Sequence, residues 1–184
     1  MNPDNRRAVI TDLAVIARRA RDLTDQNLRF RSWVKHECEL SNEEFDALVA
    51  ATADEVWREI DCTRCAMCCT MPSIAVNRED TALLAKRLGL RRADFERKYI
   101  SIYEGEAGIT GPCPFLESNR CTVYADRPKT CRSFPYLHTP GFRSRMLSLV
   151  GDSYFCPVVF NTLEALKRRL PWGKKRSRGS AERS

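Results

Sequence analysis

The sequence is organised around the stretch Cys62-Thr63-Arg64-Cys65-Ala66-Met67-Cys68-Cys69, in which four of the nine cysteines fall within eight residues. Later cysteines stand in short motifs of their own: Cys113-Pro114-Phe115-Leu116, Arg120-Cys121-Thr122-Val123-Tyr124, Arg127-Pro128-Lys129-Thr130-Cys131-Arg132 and Cys156-Pro157. Free cysteine behaves as a small buried hydrophobic residue and does not cluster at regular spacing, whereas thiolates three positions apart can converge on one metal ion. The pattern therefore predicts a metal site built from cysteines.

The composition is typical of a soluble protein with one core. The 184 residues are 43% hydrophobic and 30% charged, which is ordinary for a single domain. No run approaches the roughly 18 apolar residues that span a bilayer, and Asp12, Arg18 and Arg19 interrupt the N-terminal segment where a signal peptide would be apolar. We therefore expect a cytoplasmic protein that contacts no membrane, in which reducing conditions disfavour disulfides.

The positive net charge is concentrated at the C-terminus. Residues 167–184 contain eight basic residues and one acidic residue, so this segment accounts for the whole excess of +7. We interpret residues 171–184 as a disordered basic tail that favours solubility. Nucleic-acid binding is expected only as a weak contact through this tail.

Hydrophobic periodicity predicts a fold that is mainly α with small β elements. Ser41 and Glu44 have the spacing of a capping box, which predicts a helix from residue 42. Asp126 is expected to cap a short helical turn that presents Cys131. Further helices are predicted at residues 5–35, 77–88, 90–100 and 160–170. Short strands are predicted at residues 73–76, 120–124 and 146–150, and an irregular glycine-rich loop at 105–112.

These elements suggest a single metal-stabilised domain with an N-terminal helical pair. Residues 1–60 would form the helical pair, packed on the cysteine cluster. Residues 61–170 would form the cysteine-cluster, metal-binding domain. Residues 171–184 would form the basic tail.

The spacing of the cysteines leaves the choice between zinc and iron open. The candidate ligands are Cys62, Cys65, Cys68, Cys69, Cys113, Cys121, Cys131 and Cys156. Eight thiols suit two four-thiolate sites, or one iron–sulfur cluster with one mononuclear site. Adjacent Cys68 and Cys69 direct their side chains differently, so they could bridge or serve two centres. The C-x-x-C-x-x-C run also matches the start of a bacterial ferredoxin-type motif, whose remote cysteine precedes proline, as Cys113 and Cys156 do.

Basic and aromatic residues within the motifs are expected to surround the site. Cations stabilise the negative charge of a thiolate centre, and the candidates are Arg64, Arg120, Arg127, Lys129 and Arg132. The residues expected to exclude water are Phe115, Leu116, Tyr124, Phe134 and Tyr136. We expect Cys38 to be an ordinary thiol between two helices. His36 and His138 are the two histidines, and only His138 is close enough to a cysteine motif to be a reserve ligand.

The ordered motifs resemble the CxxCxxCC cysteine-cluster family of zinc- or iron-chelating proteins. The resemblance runs from Cys62 to Pro135, with Cys156-Pro157 as a C-terminal extension. The chain departs from the common family form at Ala66, where glycine is frequent. Flagellin lysine N-methylases share this kind of cluster, which the resemblance links to an iron–sulfur centre, although this chain is much shorter than those enzymes.

Three functional interpretations follow from the residues and the resemblance. The first is a metal-binding protein whose zinc or iron site is structural or handles metal. The second is an iron–sulfur enzyme or accessory protein related to protein lysine N-methylases. The third is a metal-stabilised interaction module with a protein partner. The sequence contains no glycine-rich phosphate loop and no nucleophile–base set, so no catalytic residue is assigned.

Overall fold

The computed structural model describes residues 8–173, and its fold is mainly α with small β elements, as the sequence predicts. The helices are α1 (Leu13–Asp22), α2 (Thr24–His36), α3 (Asn42–Trp57), α4 (Cys62–Cys65), α5 (Arg78–Arg87), α6 (Arg92–Tyr99), α7 (Lys129–Ser133), α8 (Phe142–Asp152) and α9 (Pro157–Arg169). The strands are β1 (Ser73–Ala75), β2 (Ile100–Tyr103), β3 (Glu106–Thr110), β4 (Leu116–Glu117) and β5 (Arg120–Cys121). Short 3-10 turns lie at Met67–Thr70 and Tyr124–Asp126.

The N-terminal helices follow the local signals of the sequence in part. The predicted capping box of α3 is confirmed: Glu44 N–H donates to Ser41 Oγ at 3.1 Å, and Ser41 N–H donates to the Glu44 carboxylate at 2.8 Å. The single helix predicted over residues 5–35 is instead two helices. The chain leaves helical geometry at Leu23, and the Thr24 hydroxyl there donates to the carbonyl of Arg21 at 2.7 Å.

We call α1, α2, α3, α8 and α9 the helical body. Its N-terminal helices pack mainly against its C-terminal helices: α2 contacts α8, α3 contacts α8 and α9, and α1 contacts α9. Phe45 of α3 and Phe142 of α8 are both fully buried, with ring centroids 5.7 Å apart. The largest hydrophobic core therefore joins residues that are distant in sequence.

Helix α8 occupies the region where the sequence predicts a strand at residues 146–150, so that prediction is wrong. Buried Phe142, Met146, Leu149 and Val150 recur at helical spacing and face the core. A side chain of α3 stabilises the start of α8. The Asp46 carboxylate accepts hydrogen bonds from the backbone N–H groups of residues 141 and 142, at 2.7 and 2.9 Å. A carboxylate from another helix thus caps α8.

The rest of the chain forms what we call the cluster side: α5, α6 and α7, the antiparallel sheet β1-β3-β2, and the hairpin β4-β5. The loop predicted at residues 105–112 is wrong, because most of it is the central strand β3. Gly108 pairs with Ala75 and Ser101 in this sheet, and a Cβ at Gly108 would clash with Ser73 Oγ. The glycine permits close approach of β1 rather than an irregular loop.

Two smaller elements of the cluster side also differ from expectation. The strand predicted at residues 120–124 is limited to β5, and the chain then enters a 3-10 turn. The predicted cap of α7, Asp126, lies within that turn, whereas the carboxylate of Asp80 accepts from the N–H of Lys129 at 2.9 Å. Asp80 is 4% exposed, so α7 is anchored to a buried carboxylate of α5.

Three basic residues of the C-terminal excess, residues 167–169, belong to α9. Lys167 is 8% exposed, and its ammonium donates to Asn27 Oδ1 at 2.8 Å. Arg169 donates to Thr52 Oγ1 at 2.8 Å. These two charged groups therefore fasten α9 to α2 and α3.

The predicted tail at residues 171–184 begins beside the core. Trp172 packs edge-on against Phe30, with ring centroids 5.4 Å apart. Residues 174–184 lie outside the described residues, and the tail stays a prediction. Between residues 8 and 173, no helix combines the length and apolar composition needed to cross a lipid bilayer.

Candidate metal centre

The central cysteine stretch folds into two tight turns. Asp61 caps the single-turn helix α4, with its carboxylate accepting from the N–H of Thr63 at 2.9 Å. Ala66 then adopts a left-handed conformation (φ 49°, ψ 11°), and its carbonyl accepts from the N–H of Cys69 at 2.9 Å. Glycine adopts this conformation at lower cost than alanine, so Ala66 departs here from the residue type that the turn favours.

All eight predicted ligand residues line one cavity of about 370 Å³, which we call the thiol cavity. They are Cys62, Cys65, Cys68, Cys69, Cys113, Cys121, Cys131 and Cys156. The remaining cysteine, Cys38, packs against the core of the helical body instead. The structure thus brings together thiols from segments that are up to 94 positions apart in the sequence (Cys62 and Cys156).

The thiol cavity lies between two hydrophobic clusters. Trp57, Phe134 and Phe155 reach it from the core of the helical body. Phe115 and Val123 reach it from the smaller core of the cluster side. A metal bound in this cavity would therefore touch both parts of the molecule.

On the side of the helical body, two thiols are held by core residues. The indole N–H of Trp57 donates to Cys62 Sγ at 3.3 Å. Cys156 is 8% exposed and immediately precedes α9, within the core of the helical body. The sequence analysis did not identify Trp57 as a partner of the site. The sequence signal that could have identified Trp57 is its position five residues before Cys62, at the end of a helix.

On the cluster side, backbone contacts position three thiols. The N–H of Cys113 donates to the carbonyl of Cys69 at 2.8 Å. Cys121 pairs with Leu116 in the β4-β5 hairpin, whose turn residues Ser118 and Asn119 both have positive φ. Cys131 is carried by α7. These bonds place residues 113, 121 and 131 against the smaller core.

The thiol cavity keeps most of its thiols neutral. Burial raises the pKa of Cys131 to about 12 and the pKa of Cys156 to about 12. Burial also raises the pKa of Cys62, an effect that the hydrogen bond from the Trp57 indole partly offsets. Apolar surroundings disfavour a charged thiolate unless a cation is nearby.

The adjacent pair Cys68 and Cys69 behaves differently. The Cys69 thiol hydrogen-bonds the sulfur of Cys68, which lowers the pKa of Cys68 and raises the pKa of Cys69. Cys68 is therefore the member of this pair that forms a thiolate more readily. Thiolate is the form that binds metal.

The donor set fits zinc or iron better than a hard cation. Thiolates are the ligands of four-cysteine zinc sites and of iron–sulfur clusters, while calcium and magnesium prefer oxygen. Among residues 8–173, no three Cys, His, Asp or Glu side chains stand close enough to ligate one ion without moving. Binding would therefore draw the sulfurs inward across the cavity.

Some of the basic and apolar residues that the sequence predicts around the site line the thiol cavity, and others do not. Arg127 and Arg132 line it, together with the expected apolar residues Phe115, Leu116, Tyr124 and Phe134. Lys129 and Tyr136 line a separate surface pocket on the other side of α7. Arg120 pairs with Glu117 in the hairpin, and the side chain of Arg64 lies outside the described part of the structure.

Neither histidine lines the thiol cavity. His138 Nε2 lies 2.8 Å from Asp54 Oδ1, and its ring stacks on Trp57 with centroids 5.9 Å apart. His36 ends α2. The reserve ligand of the sequence analysis, His138, thus contacts α3 rather than the cavity.

Comparison with known proteins identifies the family of this chain. An uncharacterised protein of Methanocaldococcus jannaschii is 30% identical over 100 residues, which is 51% of this chain and 53% of the relative. The chain therefore spans about half the length of this relative. No solved structure matches the chain. The profile of the CxxCxxCC family, described as "Putative zinc- or iron-chelating domain", matches residues 61–156, and the chain belongs to that family.

Proposed function

We propose that this member of the CxxCxxCC family binds zinc or iron through the cysteines of the thiol cavity, and that the metal is structural. The observation that carries this proposal is the position of the cavity, where eight thiols meet between two hydrophobic cores. Metal bound there would cross-link the cluster side to the helical body. Family membership supports metal binding, and the cavity supports the structural role.

The cluster side needs such a cross-link because its own core is small. Within the described residues that core contains seven buried residues, whereas the core of the helical body contains seventeen. Small cores rarely supply enough free energy on their own, and many small domains add metals or disulfides. Free energy of metal binding becomes free energy of folding when the site does not exist in the unfolded chain.

Substitution of a cavity cysteine tests this proposal. We expect Cys121→Ser to lower the metal content and the soluble yield together, because Cys121 lies on the cluster side of the cavity. Cys38→Ser is the matched control, and we expect it to change neither, since Cys38 packs on the helical body. Elemental analysis of purified protein gives the metal content per chain. Equal metal content in wild type and Cys121→Ser would contradict the proposal.

An iron–sulfur centre is the second candidate, and the size of the cavity favours it. A volume of about 370 Å³ falls in the range of small-molecule sites, roughly 300 to 1,000 Å³, and so exceeds what one closed ion occupies. A redox enzyme or an accessory protein would then be the function, as the methylase resemblance implies. Acid-labile sulfide together with broad visible absorption in anoxically purified protein would support this candidate.

A further inference from the structure

The eight thiols divide according to the hydrophobic core that holds them. Cys156 belongs to the core of the helical body, and Cys62 accepts a hydrogen bond at 3.3 Å from Trp57, which packs on the same core. The opposite group packs on the core of the cluster side and consists of Cys113, Cys121 and Cys131. Both groups line the thiol cavity.

The central stretch supplies the thiols that complete each group. Cys65 lies one helical turn after Cys62 in α4, and residues three apart share a helical face. Cys69 is tied to the opposite group, because its carbonyl accepts from the N–H of Cys113 at 2.8 Å. Cys68 stands between the groups, with Cys62 and Cys156 among its electrostatic neighbours on one side and Cys113 and Cys131 on the other.

We propose, on the basis of the metal-binding function above, that the thiol cavity forms two neighbouring four-thiol metal sites. The body site consists of Cys62, Cys65, Cys68 and Cys156. The sheet site consists of Cys69, Cys113, Cys121 and Cys131. Each takes one zinc or ferrous ion, and the adjacent pair Cys68 and Cys69 places the two ions side by side.

Coordination chemistry and charge agree with this division. A closed zinc site takes four ligands, so a single ion would leave half of the cavity thiols unused. A divalent ion with four thiolates carries a net charge of about −2, and two such sites need nearby cations. Arg127 and Arg132 line the same cavity. Arg132 of α7 also lies 3.9 Å from buried Asp80 of α5, and this ion pair links the two helices.

Zinc stoichiometry of the full-length protein and its variants tests the assignment. We expect wild type to hold about two zinc ions per chain, and Cys62→Ser and Cys121→Ser to hold about one each. The double variant Cys62→Ser/Cys65→Ser affects only the body site and should still hold about one. The double variant Cys62→Ser/Cys121→Ser affects both sites and should hold none. Elemental analysis after dialysis against zinc, with circular dichroism as a check on folding, gives these numbers.

The pattern of the double variants distinguishes the assignment from its alternatives. Loss of both ions in Cys62→Ser/Cys65→Ser would place Cys65 in the sheet site and overturn the division. Loss of all zinc in each folded single variant would show one shared centre, and would also overturn it. Cys62 is used because it is an exposed residue, so its replacement by serine should leave the packing of the helical body intact. A wild-type protein that takes up no zinc or iron at all would instead contradict the proposed function.

Discussion

The helical body and the cluster side differ in what stabilises them. The helical body buries several aromatic rings almost completely, among them Phe30, Phe45 and Phe142, and long side chains such as Arg143 bond its helices together. The cluster side has short strands and a small core, against which Cys113, Cys121 and Cys131 pack. Under the proposed function, one part of a single chain folds through apolar burial while the other depends on metal bound by its thiols.

Metal removal should have the largest effect that we expect, because it should reduce hydrogen-exchange protection in the cluster side and not in the helical body. Chelation under reducing conditions should abolish hydrogen-exchange protection in α5, α6 and β1–β3, because metal–thiolate binding can supply on the order of 10 kcal/mol. Helices α2, α3, α8 and α9 should keep most of their protection, since Cys156 is the one proposed ligand among the buried residues described for their core. Hydrogen exchange read by mass spectrometry measures both regions in one sample. Unchanged protection of β1–β3 after complete metal removal would show that the cluster side folds without metal.

Two phenylalanine substitutions, one in each region, should show that the helical body and the cluster side differ in their dependence on metal. Phe142→Ala, in the helical body, should cost about 3–5 kcal/mol of unfolding free energy with unchanged metal content. Phe115→Ala lies in the smaller core and lines the thiol cavity, so it should lower metal retention as well. Urea unfolding with parallel metal analysis measures both quantities. Ile102→Ala is the control, because Ile102 is 71% exposed and its loss should change stability by less than about 0.5 kcal/mol. If Phe142→Ala released the metal and Phe115→Ala did not, the two regions would be assigned the wrong way round.

Metal affinity should increase with pH, because the buried thiols must lose protons to bind. Burial raises the pKa of Cys131 and Cys156 to about 12, so both are protonated near neutral pH and each releases a proton on ligation. Each such thiol should strengthen binding about tenfold per pH unit. Cys68, whose pKa is lowered, should contribute less. Competition with a chelating dye at about pH 6.5 and about pH 7.5 measures the slope. An affinity independent of pH would mean that these thiols are not ligands.

The smallest expected effect concerns the turn within the central stretch. Ala66→Gly should stabilise the metal-loaded protein by about 0.5–1 kcal/mol, because Ala66 has a positive φ that glycine adopts at lower cost. Ala51→Gly makes the same substitution on an exposed position inside α3 and should destabilise by about 1 kcal/mol. Thermal unfolding of the two variants provides the comparison. Equal destabilisation by both would show that the turn at Ala66 is not strained.

The sequence predicted the local features of both regions better than their long-range ones. Ser41 and Glu44 cap each other within one turn, so their spacing alone identified the start of α3. The apolar run at residues 146–150 is compatible with a short strand or a helix, and only packing of Met146 on the helical body selects the helix. Strand β3 was missed because the reason for Gly108 lies in β1, which precedes it by more than 30 residues.

The same distinction applies to the candidate metal centre. Cysteine spacing identified all eight cysteines that line the thiol cavity, because thiols at such spacing have few other uses. It did not identify Trp57 as a hydrogen-bond donor or Asp80 as the anchor of α7, since both act across the fold. The cavity agrees with the predicted ligand set, and ligation itself stays a prediction.

The measurement that tests the central claim most directly is the metal and sulfide content of the wild-type protein purified without oxygen. We predict zinc or iron bound in stoichiometric amount, as two ions without sulfide if both four-thiol sites are closed. About four iron and four sulfide per chain would support the iron–sulfur candidate and contradict two mononuclear sites. Absence of zinc and iron above background, with all eight cavity cysteines alkylated as rapidly as in the unfolded chain, would contradict the account as a whole.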